Sequence, residues 1–243
     1  MLDEEPDKIS KIREKLHEWQ GANHVSGTNA ILKHPDFINP ETPQLVWESS
    51  KKNFATNGCL PRSLANAIVR ADTIADTSTE NLCKITHVDP RCVQSCKIYS
   101  SCIRSLINGE RNIDNLLRST LSDPDDELSN TIIVGYTGSI RDLKLNDPIR
   151  IDYVFRALSC GIYALQVIKF AITNSKTPNF KKFITHIVKE CGTASANGAV
   201  AGAVMGAYLG YSRLPADWIQ AIIKDKSAES LHAVDLLLKS INL

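Results

Sequence analysis

With 243 residues, 43% of them apolar and 23% charged, the chain has the size of one domain over 1–243 built on a single core, because division into domains sets in beyond roughly 250–300 residues. Lys and Arg number 28 against 27 Asp and Glu, a formal net charge of +1, which excludes the basic footprint of a nucleic-acid binder or of a protein held to an anionic membrane. Seven cysteines, an odd number spread without a dense framework, point to reduced thiols and so to an intracellular, cytoplasmic protein.

The amino terminus, MLDEEPDKISKIREKL, is too charged and too acidic for a signal or transit peptide. Ile9, Ile12, Leu16 and Trp19 then recur at spacings of three and four, which predicts an amphipathic helix stopped by Gly21. Residues 22–57 are rich in Asn, Pro, Gly and Thr and read as mostly loop with short helical turns. The Asn57-Gly58 turn leads into a helix over Leu64 to Arg70. Asp89-Pro90 is a strong helix start, since Asp caps orphan amides and proline suits the first helical position. Cys92, Cys96, Tyr99, Ile103 and Leu106 share one face of that helix until Asn108-Gly109 ends it. Ile151, Val154, Phe155, Leu158, Ile162 and Leu165 mark a longer helix over 150–172, and further helices are expected over 179–190, 195–210, 215–224 and 228–240. No alternating strand pattern and no internal repeat is present, so the class is all-α.

One segment tests the absence of a membrane span. The 22 residues from Cys191 to Ser212 carry no charge, and Gly198, Gly202, Gly206 and Gly210 repeat the G-x-x-x-G spacing of packed transmembrane helices. The excess of Ala and Gly over Leu and Phe keeps the hydrophobicity modest. A buried central helix, with the glycines admitting close neighbours, is the expectation.

Two clusters look like metal sites at first sight. Asp123, Asp125, Asp126 and Glu127 surround Pro124, but without EF-hand spacing they read as a solvated helix start. Cys83, His87, Cys92 and Cys96 form C-x3-H-x4-C-x3-C, soft enough for zinc. Cys92 and Cys96 lie one turn apart on an apolar face, and the short paired spacing of structural zinc sites is missing, so core packing is expected. Cys59 has no base assigned to it by the sequence and is a poor nucleophile on that ground.

Three segments in order, residues 57–62, 86–92 and 192–218, read NGCLPR, THVDPRC and a Gly- and Ala-rich run ending in P-x-x-W, and together they resemble the ADP-ribosylglycohydrolase family. Asn57-Gly58-Cys59-Leu60-Pro61-Arg62 is similar to that family's N-G-[AS]-x-M-R turn, with Pro61 in place of methionine. Thr86-His87-Val88-Asp89-Pro90-Arg91-Cys92 matches T-H-x-D-P-R-C. Gly192 to Trp218 resembles the carboxyl-terminal G-D-x-D-T-N-A-A-x-A-G-A segment with its later P-x-x-W. Tyr153-Val154 fits a G-Y-V position with Asp152 for the glycine, and Trp47-Glu48-Ser49-Ser50 resembles a W-E-S-S segment of eukaryotic relatives. The resemblance is clearest over 25–220.

It implies an all-α fold around a cleft for ADP-ribose beside two magnesium ions, which polarise a ribose oxygen and activate water in active relatives. It also implies ligand-binding roles for Asn57, Gly58, Arg62, His87, Asp89, Tyr153, Gly192 and Asn197, with Tyr153 where an aromatic ring stacks on adenine. From the residues alone, Asp89 reads first as a helix cap and Asn57-Gly58 as a turn, while His87 and Tyr153 divide evenly between site and core.

The metal motifs depart from the family. Thr193, Ser195 and Ala196 occupy the ligand positions of G-D-x-D-T-N, and neutral hydroxyls are weak partners for magnesium, which prefers carboxylates. The T-D-D-T motif occurs nowhere in the chain. No catalytic residue and no cofactor is therefore expected, and the partner expected is ADP-ribose or an ADP-ribosylated protein. On the resemblance the chain starts after an amino-terminal segment of the family, which would expose core surface and favour an oligomer or a partner. Two other readings stay open at this point: an active magnesium-dependent hydrolase represented by an incomplete chain, and a structural or interaction protein without ligand.

Overall fold

The structure is a computed structural model and describes residues 5–18, 26–69, 75–120 and 126–224. The helix expected over 228–240 lies outside them, as do Trp19, Gly21, Arg70, Asp123, Pro124 and Asp125. Among the described residues are twelve α-helices and no strand: α1 (Glu5–Glu18), α2 (Ser26–Leu32), α3 (Thr42–Ser49), α4 (Leu60–Val69), α5 (Ala75–Lys84), α6 (Pro90–Ile107), α7 (Ile113–Thr120), α8 (Asp126–Thr137), α9 (Val154–Thr173), α10 (Phe180–Lys189), α11 (Ala194–Leu209) and α12 (Ala216–Lys224). The all-α class is therefore correct.

The caps account for the sharpest boundaries. The Asp89 side chain accepts the Arg91 amide and Pro90 takes the first helical position of α6, while Asn179 accepts the Lys182 amide to open α10. The expected face of α6 (Cys92, Cys96, Tyr99, Ile103, Leu106) is buried throughout. Elsewhere the expectations need correction. Residues 22–57 hold two helices, α2 and α3, the second with a proline in its first turn. Helices α5 and α7 have no counterpart among the helices expected from the sequence. The acidic cluster does introduce a helix, because α8 begins at Asp126. Helix α9 starts at Val154 rather than 150, and Ile151, assigned to its apolar face, is exposed.

Helix α9 is the axis of the core. It packs on α11, α8 and α6; α4 and α5 lie against α6, and α10 backs α11. Gly161 of α9 admits Val200 and Val204 of α11, beside Tyr99 of α6, so three helices meet at a position without a side chain. A smaller cluster (Ile31, Leu32, Phe37, Leu82 and Ile85) seats the amino-terminal helices, with Ile9, Ile12 and Leu16 of α1 against it. There the buried Arg13 donates to the carbonyls of Phe37 (3.1 Å) and Ile85 (3.3 Å) and lies over the Phe37 ring.

The glycine stripe of α11 divides. Gly198 faces Val188 and Gly202 faces Ile184 and Phe180, the close packing expected of them. Gly206 has open space beside it and Gly210, at φ +76°, terminates the helix. Among the described residues the helix long and apolar enough to cross a membrane is α9 and not α11, and 61% of its apolar window is buried within the protein.

Candidate functional site

The Asn57-Gly58 turn is a single 3-10 turn, Asn57–Cys59, clamped to the start of α9. Thr56 and Tyr153 form an isolated antiparallel bridge, with Asn57 N donating to Asp152 O (2.8 Å) and Val154 N donating to Ala55 O (2.9 Å). Gly58 leaves room for the Thr28 side chain, which would have to move to admit any larger residue. A Cβ there would sit 1.7 Å from Thr28 Oγ1.

Around this turn the eight residues singled out in the sequence fall into one connected network. Arg62 donates to Thr86 Oγ1 (2.6 Å) and to Leu82 O (3.4 Å). Thr86 Oγ1 lies 2.7 Å from His87 Nδ1, and Thr56 Oγ1 lies 2.7 Å from His87 Nε2. His87 is fully buried with both ring nitrogens engaged, so its direct partners are two threonine hydroxyls. Burial outweighs the neighbouring acidic groups and holds its pKa below the ordinary 6.5, so the ring is neutral in the folded protein. A depressed histidine contributes stability above its unfolded pKa and loses it as pH falls through the folded one. Acidification from pH 7 to 5.5 is accordingly expected to lower the unfolding free energy read from urea titrations, by at most about 1.4 kcal/mol per pH unit from this group. In His87→Asn that part of the acid sensitivity should vanish; an unchanged pH profile would show that His87 does not carry it.

Asp89 is nearly inaccessible and its carboxylate is saturated. It accepts Arg91 N (3.0 Å), Arg91 Nε (2.9 Å), Arg91 NH2 (2.6 Å) and Trp47 Nε1 (3.0 Å). Arg91 carries the connection onward, its guanidinium lying 5.7 Å from the Tyr153 ring centre.

Tyr153 stands half-buried at the rim of a cleft of about 530 Å³ between α8, the short turn Ile140–Leu143 and the start of α9. Arg150 lies 4.9 Å from its ring centre and is paired with Glu127 across the cleft (2.6 Å). Arg156 spans to Asp147 (2.7 Å) and Leu143 O (2.6 Å). Burial, reinforced by Glu127, pushes the Tyr153 phenol up to about 12, so it remains protonated. Of the eight residues Tyr153 alone lines this cleft.

The remaining two belong to the loop Gly192–Asn197 at the start of α11. Gly192 adopts φ +68° against Leu145 O. Thr193 Oγ1 accepts Asn57 Nδ2 (2.8 Å) and lies 3.5 Å from Asn197 Oδ1, which joins the loop to the Asn57 turn. Asn57 Oδ1, Asn197 Nδ2, Thr28 Oγ1 and the Tyr153 hydroxyl are buried and find no hydrogen-bond partner among the described residues. Ser195 is exposed and Ala196 buried.

Sequence reasoning missed the supporting residues. Thr86 and Arg91 stand inside T-H-x-D-P-R-C and Trp47 inside W-E-S-S, so the motifs held a signal for them; Glu127 was noticed only as part of a solvated helix start, and nothing marked Thr28 or Arg150.

Comparison with known proteins gives two findings. A family model described as ADP-ribosylglycohydrolase matches residues 2–241. An ADP-ribosylarginine hydrolase of Serratia proteamaculans (strain 568) is 22% identical over 233 residues, which cover 92% of this chain and 59% of that relative, so the chain spans less than two thirds of the relative's length.

Proposed function

Because the chain belongs to the ADP-ribosylglycohydrolase family, we propose that it binds ADP-ribose, free or carried on a protein, with little or no magnesium-dependent hydrolysis. The observation that carries this reading is the donor set at Gly192–Asn197. It offers the Thr193 hydroxyl, already engaged by Asn57, the exposed Ser195 hydroxyl, the methyl of Ala196 and the amide of Asn197. Magnesium takes octahedral oxygen coordination anchored by carboxylates, and these neutral groups do not fit it. No hydrolytic step is therefore derived through a metal.

Binding is supported by what the same region leaves unsatisfied. Buried polar atoms without partners are costly, on the order of 1–3 kcal/mol each, and a polar ligand reaching Asn57 Oδ1, Asn197 Nδ2 or the Tyr153 hydroxyl would relieve that cost. The Tyr153 rim suits a flat base, provided that Arg150 swings off the ring or stacks on the other face of that base. Asn57, Gly58, Gly192 and Asn197 form the floor in this reading. Arg62, His87 and Asp89 support it from behind.

Calorimetric titration with ADP-ribose, with and without magnesium, is the test, alongside an assay for ADP-ribose release from a protein modified on arginine. Expected is binding that magnesium does not strengthen, and no release. Magnesium-dependent release would restore the hydrolase reading and defeat the proposal; absence of binding in both conditions would defeat its binding half.

A further inference from the structure

Three of the seven cysteines converge on one point behind the Asn57 turn, with a fourth, Cys92, beside one of them. The Sγ atoms of Cys59, Cys83 and Cys96 all lie within 4.8 Å of one another, and each residue is 1% exposed or less. They come from three separate elements: the 3-10 turn, α5 and α6. Cys92, fully buried one turn before Cys96, lies against Cys59, and both thiols point to the carbonyl of Thr56, at 3.5 Å and 3.7 Å. Cys83 donates to the carbonyl of His87 (3.3 Å). His87 itself stays outside, because its ring nitrogens are occupied by threonine hydroxyls. The set therefore differs from the one sequence spacing suggested: Cys59 takes the place of His87.

Isolated buried thiols pack as small hydrophobes, as Cys160 does by donating back to Arg156 O within its own helix (3.3 Å). Convergence of three thiols from three elements calls for another account. Thiolates at about 2.3 Å from a shared zinc ion stand about 3.8 Å apart in a tetrahedron or about 4.0 Å in a trigonal plane. Both spacings fall inside the 4.8 Å bound.

We propose that Cys59, Cys83 and Cys96 hold one thiophilic cation of the zinc class. The bonds formed are metal–sulfur bonds; the thiols surrender their protons to solvent, and no electron is transferred. All three ligands are buried, 1% exposed or less, away from any substrate, so the site is structural. Its effect is local and specific. It ties the turn carrying Asn57 and Gly58 to the two helices α5 and α6, and so fixes from behind the turn that meets Thr193.

The test uses the full chain, prepared without oxygen and with reductant. Elemental analysis after addition of zinc and gel filtration should give about one equivalent. The metal-stripped chain titrated with cobalt(II) should develop sulfur-to-cobalt charge-transfer bands and the intense visible bands of a tetrahedral thiolate complex, both abolished by zinc. Cys59→Ser and Cys96→Ser should lose the bands, and Cys160→Ala and Cys191→Ser should keep them. Circular dichroism of each variant separates loss of the site from loss of the fold, and the unmodified chain decides the matter even if a variant fails to fold. A folded, fully reduced chain that retains no zinc and shows no charge-transfer band overturns the proposal, as do bands that survive Cys59→Ser or depend on Cys191.

Discussion

Replacing Asp89 with alanine is expected to destabilise the protein by about 3–5 kcal/mol, the cost typical of removing one member of a buried, hydrogen-bonded charge pair. The carboxylate is 1% exposed and accepts four hydrogen bonds: three from Arg91, one of them the amide it caps, and one from the Trp47 indole. Alanine would leave α6 uncapped and the indole and guanidinium without their acceptor. Asp89→Asn preserves an acceptor oxygen and should cost less, about 1–3 kcal/mol. The pH dependence has a definite sign. Burial alone would raise the carboxyl's pKa, but the Arg91 side chain, its backbone amide and Trp47 outweigh burial and hold it below the usual range. A depressed carboxylate contributes stability above its unfolded pKa, near 3.9, and loses it as pH falls through the folded value. Acid unfolding below about pH 4 should thus be less steep in Asp89→Asn than in the unmodified chain. Urea unfolding at neutral pH measures the first quantity; a loss under about 1 kcal/mol for alanine would mean that the pair does not anchor α6.

Gly192→Ala should lose about 3 kcal/mol or more and weaken any ligand binding at the loop with it. Two costs combine. The backbone is at φ +68°, where an L side chain costs roughly 1–2 kcal/mol. The added Cβ would also lie 1.9 Å from the Leu145 carbonyl oxygen and 2.8 Å from its carbon, and a backbone carbonyl cannot rotate away as a side chain can. Gly206→Ala is the internal control, because a Cβ there meets nothing within 4 Å inside α11. That change should raise stability by about 0.5–1 kcal/mol through helix propensity. Thermal unfolding of the two variants side by side is sufficient, and equal effects would refute the steric account.

The helices legible in the sequence are those whose ends are marked locally. Asp89-Pro90 announces α6, and the apolar spacing of 154–165 announces α9 because every one of those positions serves one neighbour or another. Helix α5 carries Thr, Ser, Asp and Asn, poor helix formers in isolation, and is held by the burial of Leu82 and Cys83 against α6 and the amino-terminal cluster. Tertiary contact decides such an element, and the sequence does not display tertiary contact. The same limit governs the site. The motifs located Asn57, His87, Asp89, Tyr153 and Asn197 in one neighbourhood, but residues in non-helical segments have no periodicity to say which way they face. His87 and Asp89 turned inward to threonines and to Arg91 for reasons seen only once the turn, α6 and α9 are assembled. The grouping of Cys59 with Cys83 and Cys96 was not legible for a related cause: its partners lie on α5 and α6, at spacings that match no ligand template.

The hydrogen bond from Asn57 to Thr193 joins positions 136 residues apart, whereas α9, α10 and α11 follow one another in the chain. Closing a long loop costs entropy before the contact returns anything, so non-local pairings of this kind form late in folding. The helices of the carboxyl-terminal half can assemble on their own local contacts, and the seam between Asn57 and Thr193 closes only afterwards. A ligand bound there would act as a temporary cross-link between distant stretches of chain and would stabilise the seam against opening.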